Sequence, residues 1–422
     1  MTDSLVFGTK GAHERRSVFG AKAPHMARAA GLPAMRYKKA GFPLPSWARF
    51  YHDDSVLAVL VCGGESWRTV EKALAYAVAH AGGRRLELVL PERWQGKTGD
   101  ALQATRVRAA FLQTDIRLWT HDGDTARRCP PLARAEASGL LGEEALRGGE
   151  LDLQDLASHV SDLETWAGTE PELSACHEKS HRTWRCQGLI LLSVQRRGKG
   201  LLVKSGVHYS KATPATPLPG SVSLVDRDLT AEELSEIKAR VRDGIKGKLS
   251  GHPRGYREHW MQATLARYPA KVGWHGPGRL EREFPAKRPG GGTGYIDFLR
   301  LDDDATLHIV ETKIGHDEML VLQGLDYWIW ARANAALLAS HFKVDKIGRT
   351  VIDYVVGTED GQSTAPSEHA LISPYTPAQL EAISQDIDWQ VHMCTGWATT
   401  SPAITALGAR TVPAEPYVHH RT

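Results

Sequence analysis

Residues 294–315, GYIDFLRLDDDATLHIVETKIG, decide how this chain is read. Tyr295–Leu301 and Leu307–Ile314 have the β-branched and aromatic content of strands, and Asp302-Asp303-Asp304-Ala305-Thr306 between them is a turn composition. A turn centred on Asp304 pairs residues whose numbers sum to 608. Leu301 then faces Leu307, Leu299 faces Ile309 and Asp297 faces Glu311, with Lys313 two residues on and so on the same face as Glu311. Burying two neighbouring carboxylates has no structural benefit, because unpaired they repel. A divalent cation resolves the conflict, and hard oxygen ligands at an open site suit Mg²⁺, with Mn²⁺ as its substitute. The alternative is a solvated ion-pair ladder on an exposed strand face. The apolar flanks Ile309, Val310 and Ile314 tell against it, because they mark a buried central strand.

Asp297, thirteen further residues and then Glu311-Thr312-Lys313 resemble the motif of the PD-(D/E)XK nuclease superfamily. Ile296 stands where the family's name has proline. Downstream, the helical pattern from Glu318 puts Gln323 and Tyr327 four residues apart, similar to the Q-x-x-x-Y element of the RecB-like branch. Upstream, GYREHWMQATLARYP from Gly255 resembles the first core helix, with Glu258 matching the glutamate that joins the metal site. Glu283, in a first strand at residues 281–284, is a rival for that role, and Val351–Gly357 would be the last strand.

The resemblance covers about residues 250–360. It implies a restriction-endonuclease-like αβββαβ core with a mixed sheet and metal-dependent hydrolysis of phosphodiester bonds, most often in DNA. It also implies that Glu258, Asp297 and Glu311 hold the metal and that Lys313 orients the attacking water. Gln323 and Tyr327 would steer the substrate backbone. Phage defence, restriction or DNA repair is the context such a layout suggests. Only Cys394 lies downstream of this core, so the iron–sulfur cluster of some RecB-like relatives is not expected.

The chain as a whole has the composition of an ordinary globular protein. It has 422 residues, 42% hydrophobic and 24% charged, enough for several domains. Lysine and arginine number 52 against 49 aspartates and glutamates, so the net charge of +3 points to no partner by itself. Five scattered cysteines, no long apolar run and no leader pattern lead to the expectation of a cytoplasmic protein without membrane contact.

Residues 1–50 carry nine basic and two acidic side chains broken by glycine and proline, and read as a basic irregular arm. Residues 51–125 read as a small Rossmann-like α/β unit, with strands over 55–63 and 85–91 and a helix capped by Ser66. Residues 126–250 read as a connection carrying a basic hairpin and a helix opened by the capping box Thr230/Glu233. Residues 251–400 would be the nuclease-like domain, and 401–422 a flexible tail.

Several weaker signals remain open. Trp94-Gln95-Gly96-Lys97-Thr98 sits where a phosphate-binding loop would, but Pro91 stands where the motif needs glycine or alanine and no acidic second motif follows. Cys176, His177, His181 and Cys186 could bind zinc, though their spacing fits no standard knuckle. A nuclease-like module that binds nucleic acid without cutting is one alternative function. A nuclease gated by a nucleotide on the N-terminal unit is another, and a protein partner or homo-oligomer stays open.

Overall fold

The computed structural model describes residues 11–38, 44–95, 99–146, 154–178, 181–206, 220–224, 226–250, 257–274, 279–362 and 373–412. Among them no helix is long and apolar enough to cross a membrane. The chain is mixed α/β, built on three sheets.

The first sheet runs β1 (Met35–Arg36), β2 (Ala48–His52), β3 (Val56–Val61), β4 (Arg85–Pro91), β5 (Ile116–His121) and β6 (Ala126–Cys129) in spatial order. Strands β3, β4 and β5 are parallel, and β2 and β6 flank them antiparallel. The helix predicted after Ser66 is split into α2 (Trp67–Glu71) and α3 (Ala73–Ala81). Ser66 Oγ accepts from the Thr69 backbone N–H, and Gly82 closes the far end in the left-handed conformation at φ 55°. Helix α4 (Ala101–Ala109) is the second crossover, and α5 (Arg134–Gly139) follows the sheet.

The basic stretch expected to be irregular instead contains a helix, α1 (Ala12–Ala29). It packs Phe19, Ala23, Met26 and Ala27 against Tyr51, Ala58, Leu60, Cys62 and Val89 on the outer face of the first sheet. Its apolar stripe is short and carries Pro24, so periodicity did not reveal it. One of its charges is tied down rather than solvated: Arg16 forks onto the buried Glu65 at 2.8 Å through Nε and Nη2.

Residues 126–250 are likewise more than a connection. After β6 and α5 comes α6 (Ser161–Thr169), then an antiparallel sheet of five strands. These are β7 (Ser174–Glu178), β8 (His181–Cys186), β9 (Leu189–Arg197), β10 (Gly200–Ser205) and β11 (Ser221–Leu224). The β9–β10 hairpin turns at Gly198-Lys199, as expected. The capping box opens α7 (Ala231–Leu249), whose Ile237, Val241 and Ile245 close the core of this sheet.

The third sheet is preceded by α8 (Arg257–Arg267) and runs β12 (Arg279–Lys287), β13 (Thr293–Leu301), β14 (Leu307–Ile314), β15 (Thr350–Gly357), β16 (Asp388–Thr395) and β17 (Ala403–Arg410). Strands β12 to β14 are antiparallel, β14 to β16 parallel, and β17 antiparallel. Between β14 and β15 lie α9 (Leu320–Ala333) and α10 (Ala335–Phe342), and α11 (Thr376–Ala382) precedes β16. The residues expected to form a loose tail therefore include an edge strand, β17. Its side chains are mostly exposed, which is why no apolar alternation marked it.

Helix α8 covers one face of this sheet through Met261 and Leu265 against Phe298, Val310 and Val355. Helix α9 covers the other. One continuous core joins that face to the helical side of the first sheet, running from Leu57 and Leu88 through Leu74 to Leu325, Ile309 and Tyr354. The N-terminal unit and the third sheet thus share an interior and are not independently cored domains.

The fit around α9 is tight. A Cβ on Gly324 would lie 2.6 Å from the Tyr354 ring and 2.8 Å from Ile352. Gly324→Ala should therefore destabilise the fold by about 1–3 kcal/mol despite alanine's better helix propensity. The midpoint of denaturant unfolding measures this.

Candidate functional site

The hairpin register matches the expected one where it is paired: Leu301 with Leu307, Leu299 with Ile309, and on to Phe298 with Val310. The registered pairs end there. Asp297 does not lie in the ladder; its Oδ2 accepts two hydrogen bonds at 2.7 Å, from the backbone N–H and the hydroxyl of Thr312. Thr312 is in turn held by Gln262 Nε2 on α8 at 2.9 Å. Neither Thr312 nor Gln262 was singled out from the sequence. The only available signal for Thr312 was a hydroxyl between Glu311 and Lys313.

Glu311 is 2% exposed, and its Oε1 has no hydrogen-bond partner. Burial, followed by the neighbouring charge of Asp297, pushes its carboxyl well above the ordinary range. Burial likewise raises Asp297 to about 6, with the Thr312 hydrogen bonds opposing and Glu258 adding to the rise.

Lys313 reaches Glu258 at 3.3 Å and Asp317 at 3.5 Å. Burial works against its charge, but the surrounding carboxylates, Glu258 first, outweigh it and hold the ammonium above its usual range. Lys313 is therefore a fixed cation rather than a base at neutral pH.

The two rivals for the third acidic position are placed differently. Glu258, in the first turn of α8, contacts Lys313. Glu283 points into the second sheet, where Arg185 grips both its oxygens at 2.5 and 2.9 Å. Its backbone is left-handed at φ 51°.

Tyr327 is 3% exposed on α9, and a Cβ on Gly294 would come within 2.5 Å of its hydroxyl. It packs beneath the start of β13 and does not present itself to the surface. Gln323 lies one turn earlier, half-buried.

The donor set suits a divalent metal. An orphaned buried carboxylate oxygen beside a second carboxylate is what a cation would satisfy. Among the described residues no three His, Cys, Asp or Glu side chains close into a metal cage, and Glu258 turns to Lys313 instead.

Of the weaker signals, Gly96, Lys97 and Thr98 lie outside the described residues, as do the side chains of Cys176, His177 and His181. Cys186 is a buried free thiol.

No known protein family, curated protein or solved structure matches the chain.

Proposed function

We propose that this protein is a divalent-cation-dependent nuclease, with DNA favoured over RNA. One observation carries the proposal: Glu311 is buried with a bare oxygen beside Asp297, at the point where the β13–β14 ladder ends and next to a permanently charged lysine. Such an arrangement costs stability and is understandable as a site. The order α8, β12, β13, β14, α9, β15 supports the same reading, because it follows the αβββαβ order that the sequence motif implies.

Asp297 and Glu311 would hold the metal, Mg²⁺ or Mn²⁺, and Glu258 would complete the set on release from Lys313. When bound, the metal supplies an acidified water and neutralises charge on the phosphoryl group. Thr312 fixes one Asp297 oxygen and leaves the other free to bind. The Lys313 ammonium, held by Glu258 and Asp317, would orient the attacking water and steady negative charge on a phosphate. Tyr327 holds Gly294 and the start of β13 in place from below.

The test is cleavage of plasmid and linear DNA, single- and double-stranded, in Mg²⁺, Mn²⁺ or EDTA. Wild-type protein should cut only with metal, and Glu311→Ala and Lys313→Ala should each lose activity by roughly a thousandfold or more. Cutting that survives both substitutions would show the site to be misassigned. Calorimetric Mg²⁺ binding without cleavage of either DNA or RNA would favour a binding module.

A further inference from the structure

A line of hydrogen bonds behind the carboxylates crosses four elements and ends on Asp297. It starts at Arg282 on β12, whose Nη2 donates to Gln262 Oε1 on α8 at 3.3 Å. Gln262 Nε2 donates to Thr312 Oγ1 on β14 at 2.9 Å, and that hydroxyl donates to Asp297 Oδ2 on β13 at 2.7 Å. His259 Nδ1 lies 3.2 Å from the same Gln262 oxygen.

The direction of each bond follows from the ends of the line. A guanidinium only donates, so the Gln262 atom facing Arg282 is its carbonyl oxygen and the amide nitrogen points toward Thr312. The amide nitrogen also only donates, so the Thr312 oxygen accepts from it and keeps its single proton for Asp297. A carboxylate is the stronger kind of acceptor for that proton. The Thr312 backbone N–H donates to the same Oδ2 at 2.7 Å, so one oxygen of Asp297 is held twice and the other takes no part.

The setting is apolar. Gln262 is 1% exposed and Thr312 is fully buried. They lie between α8 and the sheet, a layer otherwise filled by Met261, Leu265, Phe298 and Val310. An amide and a hydroxyl buried there must find partners, whereas a pair of apolar side chains of the same shape would pack without that requirement.

We propose that Gln262 and Thr312 are positioning residues of the metal site inferred above, on which this inference rests. Gln262 directs the Thr312 proton onto Asp297 Oδ2, which fixes the rotation of the carboxylate and leaves Oδ1 for the cation.

The test is calorimetric titration of the full chain with Mg²⁺ and Mn²⁺ at pH 7.5, run beside the cleavage assay. Thr312→Val keeps the shape and the backbone donor but removes the hydroxyl, and should bind metal about tenfold to a hundredfold more weakly. Thr312→Ser restores the hydroxyl and should bind within about threefold of the wild type. Gln262→Glu separates positioning from packing. Its carboxylate accepts from Thr312 and draws the proton off Asp297, so metal binding should weaken about tenfold. If Gln262 served packing alone, the added negative charge would tighten metal binding or leave it unchanged. Thermal unfolding verifies that each variant is folded, and Thr312→Ala replaces any that is not. The proposal is overturned by Thr312→Val or Gln262→Glu binding metal as tightly as the wild type, or by a wild type that binds neither ion up to about 10 mM. A wild type that binds metal, with the variants weakened as stated, but cuts no nucleic acid supports the positioning role and overturns only the nuclease reading.

Discussion

Glu311→Gln should leave a metal-free protein that is more stable than the wild type at pH 7.5 and has no nuclease activity. The wild-type carboxylate is buried beside Asp297, and one of its oxygens has no donor. A neutral carboxamide removes the repulsion and can donate to Asp297, a gain on the order of 1–3 kcal/mol.

The pH dependence follows from the direction of the shifts. Both carboxyls titrate higher in the fold than in the unfolded chain, where a value of about 4 applies. The native state therefore holds protons that the unfolded state has released. Their contribution to metal-free stability is greatest below about pH 4 and is lost as pH rises, through about 6 for Asp297. The advantage of Glu311→Gln should accordingly shrink as pH falls and the wild-type carboxyl takes up its proton. Added Mg²⁺ should stabilise the wild type and leave the variant unchanged. Thermal unfolding from pH 5 to 8, with and without Mg²⁺, measures all of this. A variant less stable than wild type at pH 7.5 without metal would mean that Glu311 is a structural partner and not a ligand held at a cost.

Arg108→Met should produce the largest loss of stability among these substitutions, about 3–5 kcal/mol. Arg108 is fully buried on α4 and reaches Asp326 on α9 at 2.7 Å and Glu71 on α2 at 2.6 Å. Glu71 also accepts from Arg288 at 3.1 Å, so this network joins the N-terminal helices to α9 and the end of β12. Removing the guanidinium leaves two carboxylates in the shared core with only Arg288 nearby. Burial already pulls the Asp326 carboxyl upward and Arg108 holds it down, so the variant should recover part of its stability as pH falls and Asp326 protonates. Replacing Asp326 by leucine as well should restore more than either single change predicts. Chemical unfolding of the single and double variants at pH 5.5 and 7.5 checks both statements. An Arg108→Met protein as stable as wild type would show that the two units hold together without this network.

The hairpin was legible because its signals are local: turn residues at 302–306 and apolar alternation on both sides set Leu299 opposite Ile309. The site is only partly so. Alternation placed Asp297 and Glu311 side by side, but the ladder ends one pair before them and Asp297 turns to Thr312. Glu258 and Glu283 could not be told apart from spacing. What separates them is Arg185, nearly a hundred residues upstream of Glu283. Tyr327 and Gln323 share a helix as their spacing required, yet the depth of Tyr327 depends on Gly294 lying against its hydroxyl.

By itself the sequence determined the elements whose stabilisation is short-range. These are the parallel strands with their crossover helices, the Ser66 cap, the Thr230/Glu233 capping box and the β13–β14 hairpin, each specified by residues within a few positions of one another. Tertiary structure decided what depends on distant partners. Helix α1 has a weak apolar stripe and is held by the face of a sheet that comes later in the chain. Strand β17 is mostly exposed and is held by its backbone pairing to β16. The first and third sheets share one interior through α3, α4, α9 and α11, a union no single segment encodes, because burial of an amphipathic helix specifies that a partner exists and not which one.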